Sequence, residues 1–237
     1  MYVSCLEPHS PYIGSMQDTY DPNDLPVGPT FLKKPENVSL LNRIKADYYL
    51  QYLDGADPTK DSYMTTWAAV GEDVTSESGW RSLRAHYFGT ISLVDQMVGK
   101  ITSALESAEL TDDTIIIFTS DHGDYLGDFS LLLKGALPFR SVTDVPMIWS
   151  DPLSRKGRVT NALASTIDLS ASILERAGLA PYNGMQGSSF MPVIMGADQH
   201  HQSLLCEYND NGARLGFDRP ARVRGIRTER WRLTIYK

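Results

Sequence analysis

The chain has 237 residues, 42% apolar and 22% charged, which places it in the globular range and excludes a disulfide-held miniprotein, a collagen-like fibre and a disordered tail. Lys and Arg number 22 against 29 Asp and Glu, a formal charge of −7, so the long-range field repels nucleic acid and anionic membrane, and an anionic substrate needs a locally positive site. No apolar run approaches the roughly 18 residues of a membrane span, residues 1–10 lack the pattern of a secretory leader, and two cysteines, Cys5 and Cys206, make no disulfide framework or thiolate metal cage.

In chain order, Met1-Tyr2-Val3-Ser4-Cys5 reads as a buried β-strand with no turn before it, so the chain is expected to begin inside a fold. Residues 7–35 hold Pro8, Pro11, Pro22, Pro26, Pro29 and Pro35 and predict a long ordered loop. A short helix follows over 38–53, with Gly55 at its end. The strongest periodicity runs through Trp80, Leu83, Tyr87, Ile91, Val94, Val98, Ile101 and Leu105, steps of three and four that predict one long core-packing helix.

That helix leads through Thr111-Asp112-Asp113 into Thr114-Ile115-Ile116-Ile117-Phe118-Thr119, a continuous β-branched run of the kind buried on both faces of a parallel sheet. A second strand is predicted at 145–149, where Pro146 places it toward an edge or a strand start. A helix starts near Ser165-Thr166-Ile167-Asp168 and ends at Ala177-Gly178. From 203 the pattern changes to short strands at 204–208 and 230–236, the start of a small antiparallel layer expected to be cut off at Lys237. The expected class is α/β, a mixed and mostly parallel sheet between helices, with residues 1–200 as the main unit and 201–237 as the start of a small antiparallel subdomain.

Ligand sites of open α/β sheets lie beyond the carboxyl ends of the strands. The strand at 114–119 delivers Ser120-Asp121-His122-Gly123-Asp124 to such an edge. Asp121 and His122 can offer a carboxylate oxygen and an imidazole nitrogen to one divalent cation, or simply cap the turn and bond a neighbour. Lys134, after the apolar run Leu131-Leu132-Leu133, is either a solvated surface lysine or a partly buried cation that binds an anion or protonates a leaving group. His9, between Pro8 and Pro11 at the exit of the first predicted strand, is the fourth candidate.

These residues carry a resemblance. Phe118-Thr119-Ser120-Asp121-His122-Gly123-Asp124-Tyr125-Leu126-Gly127-Asp128, with Lys134-Gly135 and Val145-Pro146-Met147-Ile148 after it, resembles the second metal-binding motif of the sulfatase family, within the alkaline phosphatase superfamily. Glu7-Pro8-His9-Ser10-Pro11-Tyr12, the loop Tyr20-Asp21-Pro22-Asn23-Asp24-Leu25-Pro26, the helix around Arg84-Ala85-His86-Tyr87-Phe88, and Thr166-Ile167-Asp168-Leu169 resemble further blocks of that family in the same order.

The resemblance implies an alkaline phosphatase-like fold and a sulfuric ester hydrolase. In it Asp121 and His122 ligate a divalent metal, Ca2+ in the first instance with Mn2+ or Mg2+ as alternatives, while Lys134 and His9 bind the sulfate ester and assist departure of the alcohol. Phe129 stands where many relatives have a histidine. The family's nucleophile, a formylglycine made in a Cys/Ser-x-Pro-x-Arg motif, matches neither Cys5-Leu6-Glu7-Pro8 nor Cys206-Glu207-Tyr208-Asn209, and is expected in a missing N-terminal part. The chain alone is then expected to be inactive, its partner in the intact protein a small-molecule or carbohydrate sulfate ester. A phosphonate or phosphate ester hydrolase of the same superfamily, or a non-catalytic binding protein, are the alternative readings.

Overall fold

A computed structural model describes residues 1–61, 63–154, 157–213 and 216–237. Helix α1, Leu40–Leu53, begins where the Ser39 side chain accepts the Asn42 N–H, and it buries Asn42, Lys45, Ala46, Tyr49 and Tyr52 on one face. A short helix α2, Thr65–Ala69, places Trp67 in the same core. The predicted long helix is α3, Glu77–Ser107, capped by Ser76, whose hydroxyl accepts from the Gly79 N–H at 3.0 Å. Only its first half enters the core. Trp80 and Leu83 are fully buried, whereas the stripe beyond Ile91 is partly exposed, because the core cluster gathers around α1, α2 and the loop after the first strand.

Strand β1, Ile116–Thr119, pairs antiparallel with β2, Met147–Ser150, with Ile117 opposite Trp149 and Thr119 opposite Met147. The sequence pattern had predicted parallel neighbours. Parallel pairing needs a crossover that returns the chain to the starting edge. The link between these strands instead holds only a turn of 3-10 helix at Asp128–Ser130 and the single turn of α4, Arg140–Thr143, and re-enters beside its point of exit. The predicted strand at 1–5 is not one: Met1, Tyr2 and Val3 are irregular and exposed, and among the described residues no strand lies beside them to complete a ladder.

Helix α5, Asp168–Arg176, starts on the predicted box, with the Asp168 carboxylate accepting the Ser165 N–H at 2.8 Å. A short α6, Met191–Ile194, precedes a three-stranded antiparallel sheet of β3, Leu204–Asn209, β4, Arg222–Arg227, and β5, Arg232–Tyr236. β4 was not predicted, although Arg222 and Arg224 alternate with Val223 and Gly225 at the period of a half-buried strand. Val223 is fully buried and packs with Ala136, setting this sheet against the loop that follows β1. No helix among the described residues is long and apolar enough to cross a membrane.

Two ion-paired centres tie the elements together. Asp144, at the end of α4, bonds Arg140 at 3.0 Å and also Arg227 and Arg232 from the C-terminal sheet. Asp151, just past β2, takes a two-pronged pair from Arg176 of α5 at 2.7 and 3.0 Å. The Arg176 bonds hold the Asp151 carboxyl down at about 2, against the effect of burial. A carboxyl depressed in the folded state stabilises fully above its unfolded value and loses that contribution as pH falls through the folded one. Asp151→Asn is therefore expected to lower stability at neutral pH and to flatten the loss of stability on acidification from 3.8 to about 2. Urea unfolding of both proteins across that range checks it, and identical acid limbs would contradict it.

Candidate active site

β1 hands the chain to Asp121 and His122. The exposed Asp121 carboxylate accepts the His122 N–H at 2.8 Å. What burial it has pushes its pKa up, but this bond and the nearby imidazole win and hold it below the ordinary range. His122 Nδ1 lies 2.9 Å from the Gly123 carbonyl, which can only accept, so Nδ1 carries a proton, and Nε2 lies 3.5 Å from Asp121 Oδ2. The spacing matches two ligands at about a right angle around an ion with bonds of ~2.4 Å. The pair therefore fits a divalent cation as two of its ligands, with Nδ1–H···O=C as the buttress that fixes the ring. Gly123 follows because a Cβ there would lie 2.0 Å from the Ser141 carbonyl oxygen.

Lys134 and His9 meet. Lys134 Nζ donates to His9 Nε2 at 2.8 Å across 125 residues, and His9 Nδ1 donates to the Ser10 carbonyl at 2.6 Å. His9 is exposed and Lys134 half-buried, so the pair opens to solvent. Among the described residues no hydrogen bond joins it directly to Asp121 and His122. The link runs through Asp124, whose carboxylate lies in the field of Lys134 and accepts from the Tyr12 hydroxyl at 2.5 Å and from the Leu126 N–H at 3.0 Å. Burial pushes the Asp124 carboxyl up, partly offset by these donors.

Sequence reasoning assigned no role to Tyr12, Asp124 or Lys45. Lys45 Nζ donates to the Lys134 carbonyl at 3.0 Å, and the Tyr49 hydroxyl to the Leu132 carbonyl at 3.1 Å, so α1 holds the backbone that presents Lys134. The signal was a lysine three residues before Tyr48-Tyr49 and on the same helical face as Ala46, Tyr49 and Tyr52. Burial lowers the Lys45 pKa to about 8. Tyr125, also buried, accepts the Leu137 N–H on its hydroxyl at 3.2 Å and donates to the Leu137 carbonyl at 2.6 Å. The loop is strained: Leu126, Phe129, Ser130 and Leu133 all have positive φ. Gly127, at φ 95°, also leaves room that a Cβ would take from the Phe31 ring at 2.4 Å. Arg84 of α3 clamps the same loop, donating to the Leu126 carbonyl at 2.8 Å and the Pro26 carbonyl at 2.7 Å. Phe129 stacks on Phe139 at 4.1 Å between ring centres, an apolar contact.

With this geometry in place, comparison with known proteins is decisive. The family model described as Sulfatase matches residues 1–179, and that described as N-sulphoglucosamine sulphohydrolase, C-terminal, matches residues 136–237. The chain belongs to the sulfatase family. Choline-sulfatase of Rhizobium meliloti (strain 1021) is 32% identical over 161 residues, 66% of this sulfatase-family chain and 30% of that protein. Arylsulfatase K of Gallus gallus is 27% identical over 206 residues, 82% of this chain and 35% of that protein. The chain thus spans about a third of the length of these curated relatives. The solved phosphonate monoester hydrolase of Silicibacter pomeroyi superposes with a TM-score of 0.70 at 20% identity, covering 97% of this chain and 47% of that one. The sulfatase chain shares the α/β fold of the alkaline phosphatase-like proteins.

Two consequences are measurable. Tyr12→Phe removes a hydrogen bond to a charged group, a loss of about 1.5–3 kcal/mol, and raises the Asp124 pKa further because a donor that favours the carboxylate is gone. Carboxyl 13C titration reads the shift, and an unchanged Asp124 would refute the coupling. For Lys45 the folded pKa lies below the unfolded value of 10.5, so from about 8 upward the unfolded chain binds more protons and stability rises with pH. Urea unfolding at about pH 7 and pH 9.5 should show this rise in the wild type and lose it in Lys45→Met. An equal rise in the variant would exclude Lys45 as its source.

Proposed function

We propose that this chain supplies part of the active site of a sulfuric ester hydrolase, with residues 1–200 belonging to its catalytic α/β unit and residues 201–237 opening a small antiparallel subdomain. The observation that carries the reading is the Lys134–His9 pair, which brings an ammonium and an imidazole together at 2.8 Å, Lys134 on the loop that also carries Asp121 and His122 and His9 on the opening segment. Asp121 and His122 would hold a divalent cation, Ca2+ first with Mn2+ or Mg2+ as alternatives, which when bound would polarise the sulfuryl group and lower the pKa of the nucleophile.

Lys134 attracts the ester's anionic oxygens in a chain whose overall charge repels them. As the S–O bond breaks, negative charge gathers on the bridging oxygen, and the Lys134 ammonium is the proton donor placed to meet it. His9 Nε2 orients that ammonium by accepting one of its hydrogens, and the field of the ammonium favours the carboxylate form of the buried Asp124. The Lys45 and Tyr49 bonds to the loop carbonyls fix the distance at which Lys134 works. The nucleophile in this reading is a formylglycine from sequence outside these residues, since neither Cys5 nor Cys206 has the Pro-x-Arg context. The substrate is a small-molecule or carbohydrate sulfate ester.

A phosphonate or phosphate ester hydrolase is the second reading, favoured by the structural likeness to a phosphonate monoester hydrolase. An assay of the longer protein containing this chain against aryl sulfate, phosphate diester and phosphonate esters separates the two. The sulfatase reading expects the highest kcat/KM on the sulfate and a fall of roughly 100-fold or more for Lys134→Ala, smaller for an aryl ester with a good leaving group. Preference for phosphonate, or an unaffected Lys134→Ala enzyme, would overturn it.

A further inference from the structure

A second cluster of ligating side chains lies away from Asp121 and His122, at the start of α5. Asp168 is 1% exposed, and its oxygens already accept the Ser165 N–H at 2.8 Å and the Ser188 N–H at 3.0 Å. Two consecutive histidines turn toward it. His201 Nε2 lies 2.9 Å from Asp168 Oδ2, and His200 Nε2 lies 3.5 Å from the same oxygen. The rings sit 3.9 Å apart with a 50° tilt. One ligating atom from each of the three residues falls within 4.8 Å of the other two.

Hydrogen bonding alone leaves this cluster unsettled. The His200 side chain is 9% exposed, its ring packs edge-on against Phe190, and its Nε2 is buried with no hydrogen-bond partner. Such an atom costs about 1–3 kcal/mol when left unpaired. The Asp168 oxygen it faces already serves an amide and His201, so a second imidazole there is surplus to what a helix cap needs. We propose that Asp168, His200 and His201 form a binding site for a divalent ion of the zinc class, which clamps the start of α5 to the chain entering β3.

The geometry suits such an ion. Bonds of about 2.0–2.1 Å at tetrahedral angles put ligand atoms about 3.3 Å apart, and the observed 2.9 and 3.5 Å bracket that spacing. Two imidazoles and one carboxylate select a borderline-soft ion over calcium, which takes oxygen ligands. His201, 28% exposed, provides the path of entry and leaves a fourth position for water. The three ligands come from two segments that are otherwise joined by the Leu163–His201 bridge and through Ser188, which bonds Asp168 and whose hydroxyl lies 3.5 Å from His201 Nε2, so the ion would add a cross-link across 33 residues.

The test uses the untagged 237-residue chain, freed of metal and titrated with Co2+ as the probe. The expected result is a visible four-coordinate Co2+ spectrum at one equivalent, displaced by Zn2+ and not by Ca2+, retained in His122→Ala and weakened at least about tenfold in His200→Gln and His201→Gln. Zn2+ should also raise Tm in the wild type and His122→Ala. A spectrum lost in His122→Ala but kept in His200→Gln, or no spectrum and no Tm shift, would overturn the site. Should the glutamine variants fail to fold, long-range 1H–15N spectra of the wild type decide the matter. Zn2+ must shift Nε2 of both His200 and His201, and a shift confined to other histidines refutes the proposal.

Discussion

The hydrogen bond from the Tyr12 hydroxyl to the Asp124 carboxylate is the contact on which the candidate site depends. Tyr12 is wholly buried and stands three residues after His9, while Asp124 stands three after Asp121. One bond therefore fixes the proline-rich opening segment to the loop that leaves β1. Burial raises the pKa of both partners, which keeps the Tyr12 hydroxyl a donor but disfavours the charged Asp124 carboxylate, and the bond offsets that cost because each group satisfies the other. Tyr12 is also wedged edge-on against Trp67 and Tyr87, so it cannot rotate to another acceptor without vacating the core.

From that anchor the positions of Lys134 and His9 follow. The loop between Asp124 and Leu137 runs through several left-handed residues that would not hold this shape in isolation. It is held by carbonyls captured from different directions: by Lys45 and Tyr49 of α1, by Tyr125 of the loop itself, and by Arg84 of α3. Buried side chains thus impose the geometry of an exposed ammonium, the arrangement expected where a charge must be placed accurately yet remain open to substrate. The apolar stack of Phe129 on Phe139 beside this loop makes its surroundings less polar than a histidine at that position would.

The C-terminal sheet adds a second layer of restraint. Asp144 collects three arginines, two from this sheet, and so joins the sheet to the α/β part, while Asp151 pairs with Arg176 and ties the end of β2 to α5. The cluster of Asp168, His200 and His201 lies where the chain passes from α5 toward β3. Its imidazole-rich donor set differs in softness from the Asp121 and His122 pair, which separates the two sites chemically within one chain.

Periodicity was enough to find α1, α3, β1, β2 and α5, because a 3.6-residue stripe, a β-branched run and a capping box are local properties of the chain. The Asp-His-Gly segment after β1 and the lysine behind three leucines were likewise legible as a candidate site. Strand direction was not: β1 and β2 are antiparallel because of how a loop of short turns returns, and the exposed residues 1–4 have no strand beside them among the described residues. Nor could sequence alone pair residues 12 with 124, 9 with 134, or 168 with 200 and 201. Sequence determined which residue types stand at the ends of which elements. Tertiary structure decided which of them share a proton or face one another, since those contacts span tens to more than a hundred residues and are set by the packing of the tyrosine-rich core.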